Sequence, residues 1–119
     1  MSLRILLVED QGESRRALTG LLHKWGFDVS GADSLQSGLA FVRAKRFDAI
    51  VSDIGLPDGT GHALIAEAKR HQENLKGIAI SGFDSPEDVR LGKIAGFDYH
   101  LPKPFDCRSL HTILTQLAA

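Results

Sequence analysis

Short apolar runs alternate with longer amphipathic stretches along this chain of 119 residues. The runs at residues 3–8, 49–51 and 77–80 each stop abruptly at polar residues. Runs of this kind are typical of strands that are buried on both faces of a parallel sheet. The segments 28–32 and 98–101 are more polar. We therefore predict five strands, with the three apolar ones in the centre of the sheet and the two polar ones at its edges.

Helical patterns fill the intervals between the predicted strands. Residues 13–25 place apolar side chains along one stripe, and Gly26 follows as a stop signal. Residues 34–45 and 62–71 carry similar stripes. Ser85 and Pro86 form a strong helix start, since a capping hydroxyl precedes a proline at the first helical position. That helix is expected to end at Gly96, and Asp106 is expected to cap a last helix.

The resulting order is five consecutive strand–helix units. Such alternation predicts one three-layer α/β domain, with a doubly wound parallel sheet and right-handed crossovers. The strand order 2-1-3-4-5 puts the polar strands at the edges and brings strands 1 and 3 side by side.

The composition excludes several classes of function. Fourteen basic residues against fifteen acidic ones give a formal charge of −1. That balance argues against direct nucleic-acid binding by this domain and against a polybasic membrane-surface helix. No apolar run approaches the roughly 20 residues of a membrane span. Cys107 is the single cysteine, so an internal disulfide is impossible and a cytoplasmic location is expected.

Polar side chains stand where four of the predicted strands end. Glu9 and Asp10 follow the first strand, and Asp53 follows the third. Ser81 ends the fourth strand, and Lys103 follows the fifth. The carboxyl ends of parallel strands meet at one edge of the sheet, where open α/β sheets bind their ligands. These five side chains are therefore expected to converge.

The chemistry of this set points to phosphoryl transfer. Three neighbouring acids repel one another, so at least one pKa is expected to rise unless a cation intervenes. Oxygen ligands without histidine or cysteine favour a hard ion, and an open cluster suits Mg²⁺. A metal, a lysine and a hydroxyl can surround the oxygens of a transferring phosphoryl group. The nucleophile would then be a carboxylate, and the product would be an aspartyl-phosphate.

Four segments resemble the receiver domain of two-component response regulators, a member of the CheY-like superfamily. They are ILLVEDQ (5–11), DIGLPDGTG (53–61), AISG (79–82) and GFDYHLPKPF (96–105). The resemblance covers residues 3–117 and implies a flavodoxin-like fold. It also implies that residues 1–119 form a single receiver domain. That domain would either stand alone or be part of a longer response regulator or hybrid histidine kinase.

The resemblance also implies a role for each matching position. Asp53 matches the phospho-acceptor. The Mg²⁺ site would be formed by Glu9, Asp10 and Asp53 together with the backbone carbonyl of Gly55, with Asp10 binding directly and Glu9 through a water molecule. The phosphoryl group would be bound by Ser81, Gly82 and Lys103, and a cis peptide bond would precede Pro104.

The family usually has tyrosine or phenylalanine as a switch side chain three residues before the lysine. Here that position is His100, and strand alternation puts Tyr99 on the opposite face. A histidine there could switch with a strength that varies with pH, fail to couple, or be a solvated edge residue. The small residues Gly55 and Gly82 would leave water a path to the acyl phosphate, unless Phe83 shields it.

The resemblance implies a role in phosphorelay signalling. A histidine kinase or histidine phosphotransfer protein would phosphorylate Asp53. The output would be a changed conformation of the face formed by the fourth helix, fifth strand and fifth helix, which is also a candidate homodimer surface. The downstream protein or output domain is not specified. Such a receiver catalyses only its own phosphorylation and dephosphorylation.

Two other functions compete with this one. A phosphatase or phosphotransferase with an aspartyl-phosphate intermediate usually needs an acid two residues after the nucleophile, where this chain has Gly55. A pseudo-receiver that acts only as an interaction module is disfavoured, because the acids and the lysine are all present.

Overall fold

The computed structural model describes residues 3–82 and 84–119. Strands and helices alternate along the chain, and a small hairpin interrupts the alternation after the third strand. The elements are β1 (Arg4–Val8), α1 (Gly12–Lys24), β2 (Asp28–Ala32), α2 (Leu35–Ala44), β3 (Ala49–Asp53), β4 (Gly55–Leu56), β5 (Gly59–Thr60), α3 (Gly61–His71), β6 (Lys76–Ser81), α4 (Pro86–Ala95), β7 (Tyr99–Pro102) and α5 (Cys107–Ala118).

The five long strands form one parallel sheet in the order β2-β1-β3-β6-β7. The predicted order 2-1-3-4-5 is therefore confirmed, as is the flavodoxin-like α/β class. The two polar strands, β2 and β7, lie at the edges. The apolar strands β1, β3 and β6 lie in the centre, where helices cover both of their faces.

Side chains that alternate along the central strands belong to two separate apolar cores, one on each face of the sheet. In β1, Leu6 and Val8 belong to the core that also contains residues of α2 and α3. Ile5 and Leu7 belong to the other core, which Leu22 of α1 and residues of α5 complete. This period of two places helices on both sides of the sheet. It leaves the carboxyl ends of the strands as an open edge.

The hairpin of β4 and β5 was not predicted, because strands of two residues are too short to show a pattern. It is held by a contact between distant parts of the chain. Asp58 in its turn accepts hydrogen bonds from the backbone N–H groups of Leu35, at 2.7 Å, and Gln36, at 2.9 Å. The hairpin therefore caps the first turn of α2.

Two of the central strands extend further than predicted. β3 continues through Asp53, which pairs with Ile80, and β6 runs from Lys76 to Ser81. The ladder continues into the polar residues because parallel pairing supplies partners for their backbone groups. α1 begins at Gly12, one residue earlier than predicted. In the parts of the chain that the structure describes, every helix is too short or too polar to span a bilayer.

Candidate functional site

Three carboxylates meet at the carboxyl edge of the sheet. Glu9, Asp10 and Asp53 each offer one oxygen, and these oxygens lie within 4.8 Å of one another. The arrangement follows from the pairing of β1 with β3, in which Val8 lies opposite Ser52. The residues that follow these two, Glu9 and Asp53, therefore lie side by side. Glu9 is buried, Asp53 is half-buried and Asp10 is exposed. The predicted convergence of the acids is present.

Lys103 is the cation of this cluster. Its Nζ lies 2.6 Å from Oδ2 of Asp53 and 3.7 Å from Oε2 of Glu9. The lysine is positioned by its backbone N–H, which donates to the carbonyl of Ser81 at 2.8 Å. Three carboxylates and one ammonium leave a formal charge of −2, which favours the addition of a cation.

Two pKa values reflect this crowding. Burial raises the pKa of Glu9, and the charge of Asp53 adds to the effect, although Lys103 opposes it. Burial by itself would lower the pKa of Lys103. Its hydrogen bond to Asp53 and the surrounding negative charges outweigh burial and raise that pKa. The lysine is therefore held in its charged form, while the buried acid resists ionisation.

Two supporting residues were not identified from the sequence. Arg15 of α1 donates from Nη1 to the carbonyl oxygen of Glu9 at 2.9 Å. Ser52 is fully buried and donates from Oγ to the carbonyl oxygen of Asp53 at 2.7 Å. By sequence, Ser52 lies just beyond a predicted apolar strand, and nothing in the local sequence singles out either Ser52 or Arg15 as a supporting residue. Both contacts hold the backbone that carries an acid.

Gly61 fixes the chain just after the acceptor. Its N–H donates to the carbonyl of Ile54 at 2.7 Å. A methyl group on Gly61 would overlap the carbonyl oxygen of Asp53 and lie 3.1 Å from the Cα of Ile54. Only glycine lets α3 begin this close to the end of β3.

The remaining predicted residues surround the cluster. Ser81 is fully buried at the end of β6, and Gly82 is exposed. A methyl group on Gly55 or Gly82 would meet no atom within 4 Å, so the space beside these residues is open. The Lys103–Pro104 peptide bond is cis, the isomer that the resemblance implies. Phe83, named above as the residue that would shield the water path, lies outside the described residues.

His100 and Tyr99 lie on opposite faces of the sheet, as strand alternation predicts. Tyr99 packs against the core between the sheet and α5. The ring of His100 lies on the α4 side, where a methyl group on Gly92 would be 3.9 Å from its Nδ1. Both ring nitrogens are buried. His100 is therefore not a solvated edge residue in this structure.

An apolar cavity of about 630 Å³ adjoins the cluster. Its lining includes Leu18 and Leu21 of α1 and Phe105, which precedes α5. Asp53 and Lys103 lie at its polar end. The cavity therefore joins the acceptor to the apolar side chains of α1 and to the residues that lead into α5.

Comparisons with known proteins identify the family of this chain. The family model of the response regulator receiver domain matches residues 5–115. The chain is 34% identical over 110 residues to the KDP operon transcriptional regulatory protein KdpE of Escherichia coli (strain K12). That alignment covers 92% of this chain and 48% of KdpE.

Two further proteins illustrate the range of similar architectures. Over 120 residues, the chain is 32% identical to the sensor histidine kinase AruS of Pseudomonas aeruginosa, covering 98% of this chain and 12% of AruS. The crystal structure of a CheY-like receiver domain protein from Methanospirillum hungatei JF-1 superimposes with a TM-score of 0.91 at 29% identity, covering 99% and 95% of the two chains. The chain thus spans half or less of the curated relatives named here. By its sequence and fold, it belongs to the family of response regulator receiver domains.

Proposed function

We propose that this domain accepts a phosphoryl group on Asp53 from the phosphohistidine of a histidine kinase or phosphotransfer protein. One observation carries the proposal. The acceptor carboxylate lies within 4.8 Å of two further carboxylates, and its Oδ2 is 2.6 Å from the Nζ of Lys103. A nucleophilic carboxylate between a candidate cation site and an ammonium group is suited to phosphoryl transfer.

The residues fit a magnesium ion. The carboxylates of Glu9, Asp10 and Asp53 supply only oxygen atoms and leave a negative site, which is the chemistry that a hard divalent cation prefers. The exposed backbone of Gly55, next to open space, would add a carbonyl oxygen. When bound, Mg²⁺ would neutralise charge on the phosphoryl oxygens.

The protein's own groups then perform the transfer. An oxygen of Asp53 attacks phosphorus, the P–N bond of the donor breaks, and the donor imidazole takes the electron pair. Lys103 moves its hydrogen bond from the carboxylate to a phosphoryl oxygen. The hydroxyl of Ser81 donates to the phosphoryl group, and Gly82 allows the backbone to approach it.

The output is a change in the α4–β7–α5 face. Ser81 pairs with Pro102 in the sheet, so a shift of Ser81 toward the phosphoryl group reaches β7 directly. Leu91 and Ile94 of α4 are 43% and 68% exposed, which favours a downstream protein or a second copy of this chain as a partner. His100, beneath α4, is the switch position.

The place of this domain in a larger protein is a separate question. KdpE is a transcriptional regulatory protein, and its match to this chain favours a response regulator with an output domain outside the sequence. The match to AruS, a sensor histidine kinase, favours a receiver within a hybrid kinase. Phosphotransfer to Asp53 is the same in both arrangements.

Binding of beryllofluoride, a phosphoryl analogue, in the presence of Mg²⁺ tests the proposal. We expect the wild type to bind it and Asp53→Asn to lose binding. Asp28→Asn, an exposed acid on the edge strand β2, is the matched control and should bind normally. Absence of binding in the wild type would point instead to a pseudo-receiver. Steady turnover of a simple phosphate ester would favour the phosphatase alternative.

A further inference from the structure

Three imidazole nitrogens are buried without a hydrogen-bond partner. They are Nε2 of His62 and both Nδ1 and Nε2 of His100. In the described ranges, no other buried side-chain nitrogen or oxygen lacks a partner. Buried polar groups are nearly always hydrogen-bonded, so each exception calls for an explanation. The transfer of a phosphoryl group to Asp53 does not use His62 at all.

Both histidines lie near Phe97, and we call these three residues the histidine cluster. The ring of His62, at the start of α3, meets the ring of Phe97 edge-on, with centroids 6.2 Å apart. A methyl group on Gly92 would lie 3.9 Å from both Nδ1 of His100 and Cδ2 of Phe97. Gly92 is the one buried residue of α4. The central turn of α4 therefore packs directly on the cluster.

The surroundings of His100 do not suit a charged ring. A cavity of about 270 Å³ beside it is lined by three further residues that can titrate: Lys93 of α4, Asp98, and Tyr99, whose side chain packs on the opposite face of the sheet. Lys93 would repel an imidazolium. Asp98 is already engaged, because its Oδ2 accepts from Nζ of Lys69 of α3 at 3.0 Å and from the N–H of Gly77 of β6 at 2.8 Å.

A neutral imidazole can remain under α4 at moderate cost, but a protonated one has two donors and a full charge to satisfy. Water outside the cavity satisfies both. Because β7 is an edge strand, a rotation of the His100 ring away from α4 would bring it toward solvent at the margin of the sheet.

We propose that the histidine cluster makes the position of α4 depend on pH. Proton uptake by His100 expels its ring from beneath Gly92, and α4 moves with the loss of that support. The state in which the His100 ring has left its position under α4 (the expelled state) binds one more proton than the state in which the ring stays there (the packed state). Acid therefore favours the expelled state. For one proton, the ratio of the two states changes about tenfold per pH unit once the ring titrates. Histidine is the side chain that changes charge between about pH 5 and 8.

This pH response does not require phosphorylation. Its connection to signalling rests on the proposed function, because α4 is part of the proposed output face. Acid and phosphorylation would then act on the same helix through different groups.

An NMR titration of the unphosphorylated, metal-free chain from about pH 8 to 5 tests the proposal. The backbone amides of residues 89–95 and the ring C–H signals of His100 should move together with one midpoint. His100→Phe, which keeps an aromatic ring but cannot titrate, should abolish the amide shifts. His100→Gln is a second non-titrating variant and should give the same loss.

His71→Gln is the matched control, since His71 is an exposed helical histidine 3.4 Å from Glu67. It should retain the full α4 response. The proposal is overturned if the α4 amides still titrate in both His100 variants. It is also overturned if His100 titrates in the wild type while the α4 amides stay unchanged.

Discussion

The ammonium of Lys103 lies 2.6 Å from Oδ2 of Asp53, although the two residues are 50 positions apart in the sequence. Asp53 ends β3 and Lys103 directly follows β7, and these two strands are not neighbours, because β6 lies between them. The contact depends on the length of the lysine side chain, which reaches across the end of β6. The lysine therefore neutralises the acceptor before any phosphoryl group arrives.

We expect Lys103→Met to slow the phosphorylation of Asp53 by about 100-fold, because one pre-positioned charged donor to the phosphoryl oxygens is lost. The initial rate of phosphorylation by a phosphorylated histidine phosphotransfer protein measures this effect. Lys76→Met, an exposed lysine at the start of β6, is the control and should react at the wild-type rate. An unchanged rate in Lys103→Met would contradict the role given to the ammonium.

Glu9→Gln should raise the melting temperature in the absence of divalent cations. Burial raises the pKa of Glu9, so the ionised carboxylate destabilises the fold. This penalty is absent below the ordinary pKa of 4.5 and is complete above the raised value. The gain should therefore appear at pH 7 and disappear in acid, as thermal unfolding with a chelator would show.

The same substitution should weaken Mg²⁺ binding, which isothermal titration would detect. Glu13→Gln, an exposed acid in the first turn of α1, should change neither property. A lower melting temperature for Glu9→Gln at pH 7 would show that the carboxylate stabilises the site.

Asp58→Ala should lower the melting temperature by releasing the first turn of α2 from the hairpin. The N–H groups of Gln36 and Leu35 lower the pKa of Asp58. The stabilisation is therefore present above the ordinary pKa of 3.8 and is lost as the pH falls through the lowered value. Asp28→Ala should have little effect. Equal melting temperatures for Asp58→Ala and the wild type at pH 7 would contradict a capping role.

Gly61→Ala should destabilise the fold by about 1–3 kcal/mol, because the added methyl group forces the backbone at Asp53 to move. Beryllofluoride binding should weaken in parallel. Gly20→Ala is the opposite case, since no atom lies within 4 Å of the added group in α1. It should stabilise the helix by up to about 1 kcal/mol. Urea unfolding measures both, and equal effects would contradict the close approach at Gly61.

Most of the architecture could be predicted from the sequence, because burial leaves a clear pattern. The apolar runs of β1, β3 and β6 indicated central strands, and the polar character of β2 and β7 indicated edges. Once that order was assigned, the polar residues at the strand ends had to share one edge of the sheet. The meeting of Glu9, Asp10 and Asp53 follows from topology alone.

The contacts that could not be predicted join residues that are distant in sequence or involve the backbone. The Asp58 cap depends on how the hairpin packs against α2, and the bond from Arg15 to the carbonyl of Glu9 involves no side-chain pattern. The burial of the His100 ring nitrogens could not be predicted either, because the side chain of a histidine on an edge strand can equally well be exposed to solvent. Each of these depends on tertiary packing.

Pro102 ends the edge strand β7. The next residue, Lys103, donates its N–H inward to Ser81, so the nitrogen of Pro102 faces the outer side of the sheet, and it carries no hydrogen. A foreign strand therefore cannot extend the ladder through this position. A strand that added to the outer side of β7 would find no main-chain donor at Pro102, so its run of hydrogen bonds would have to end before the residue that precedes Lys103.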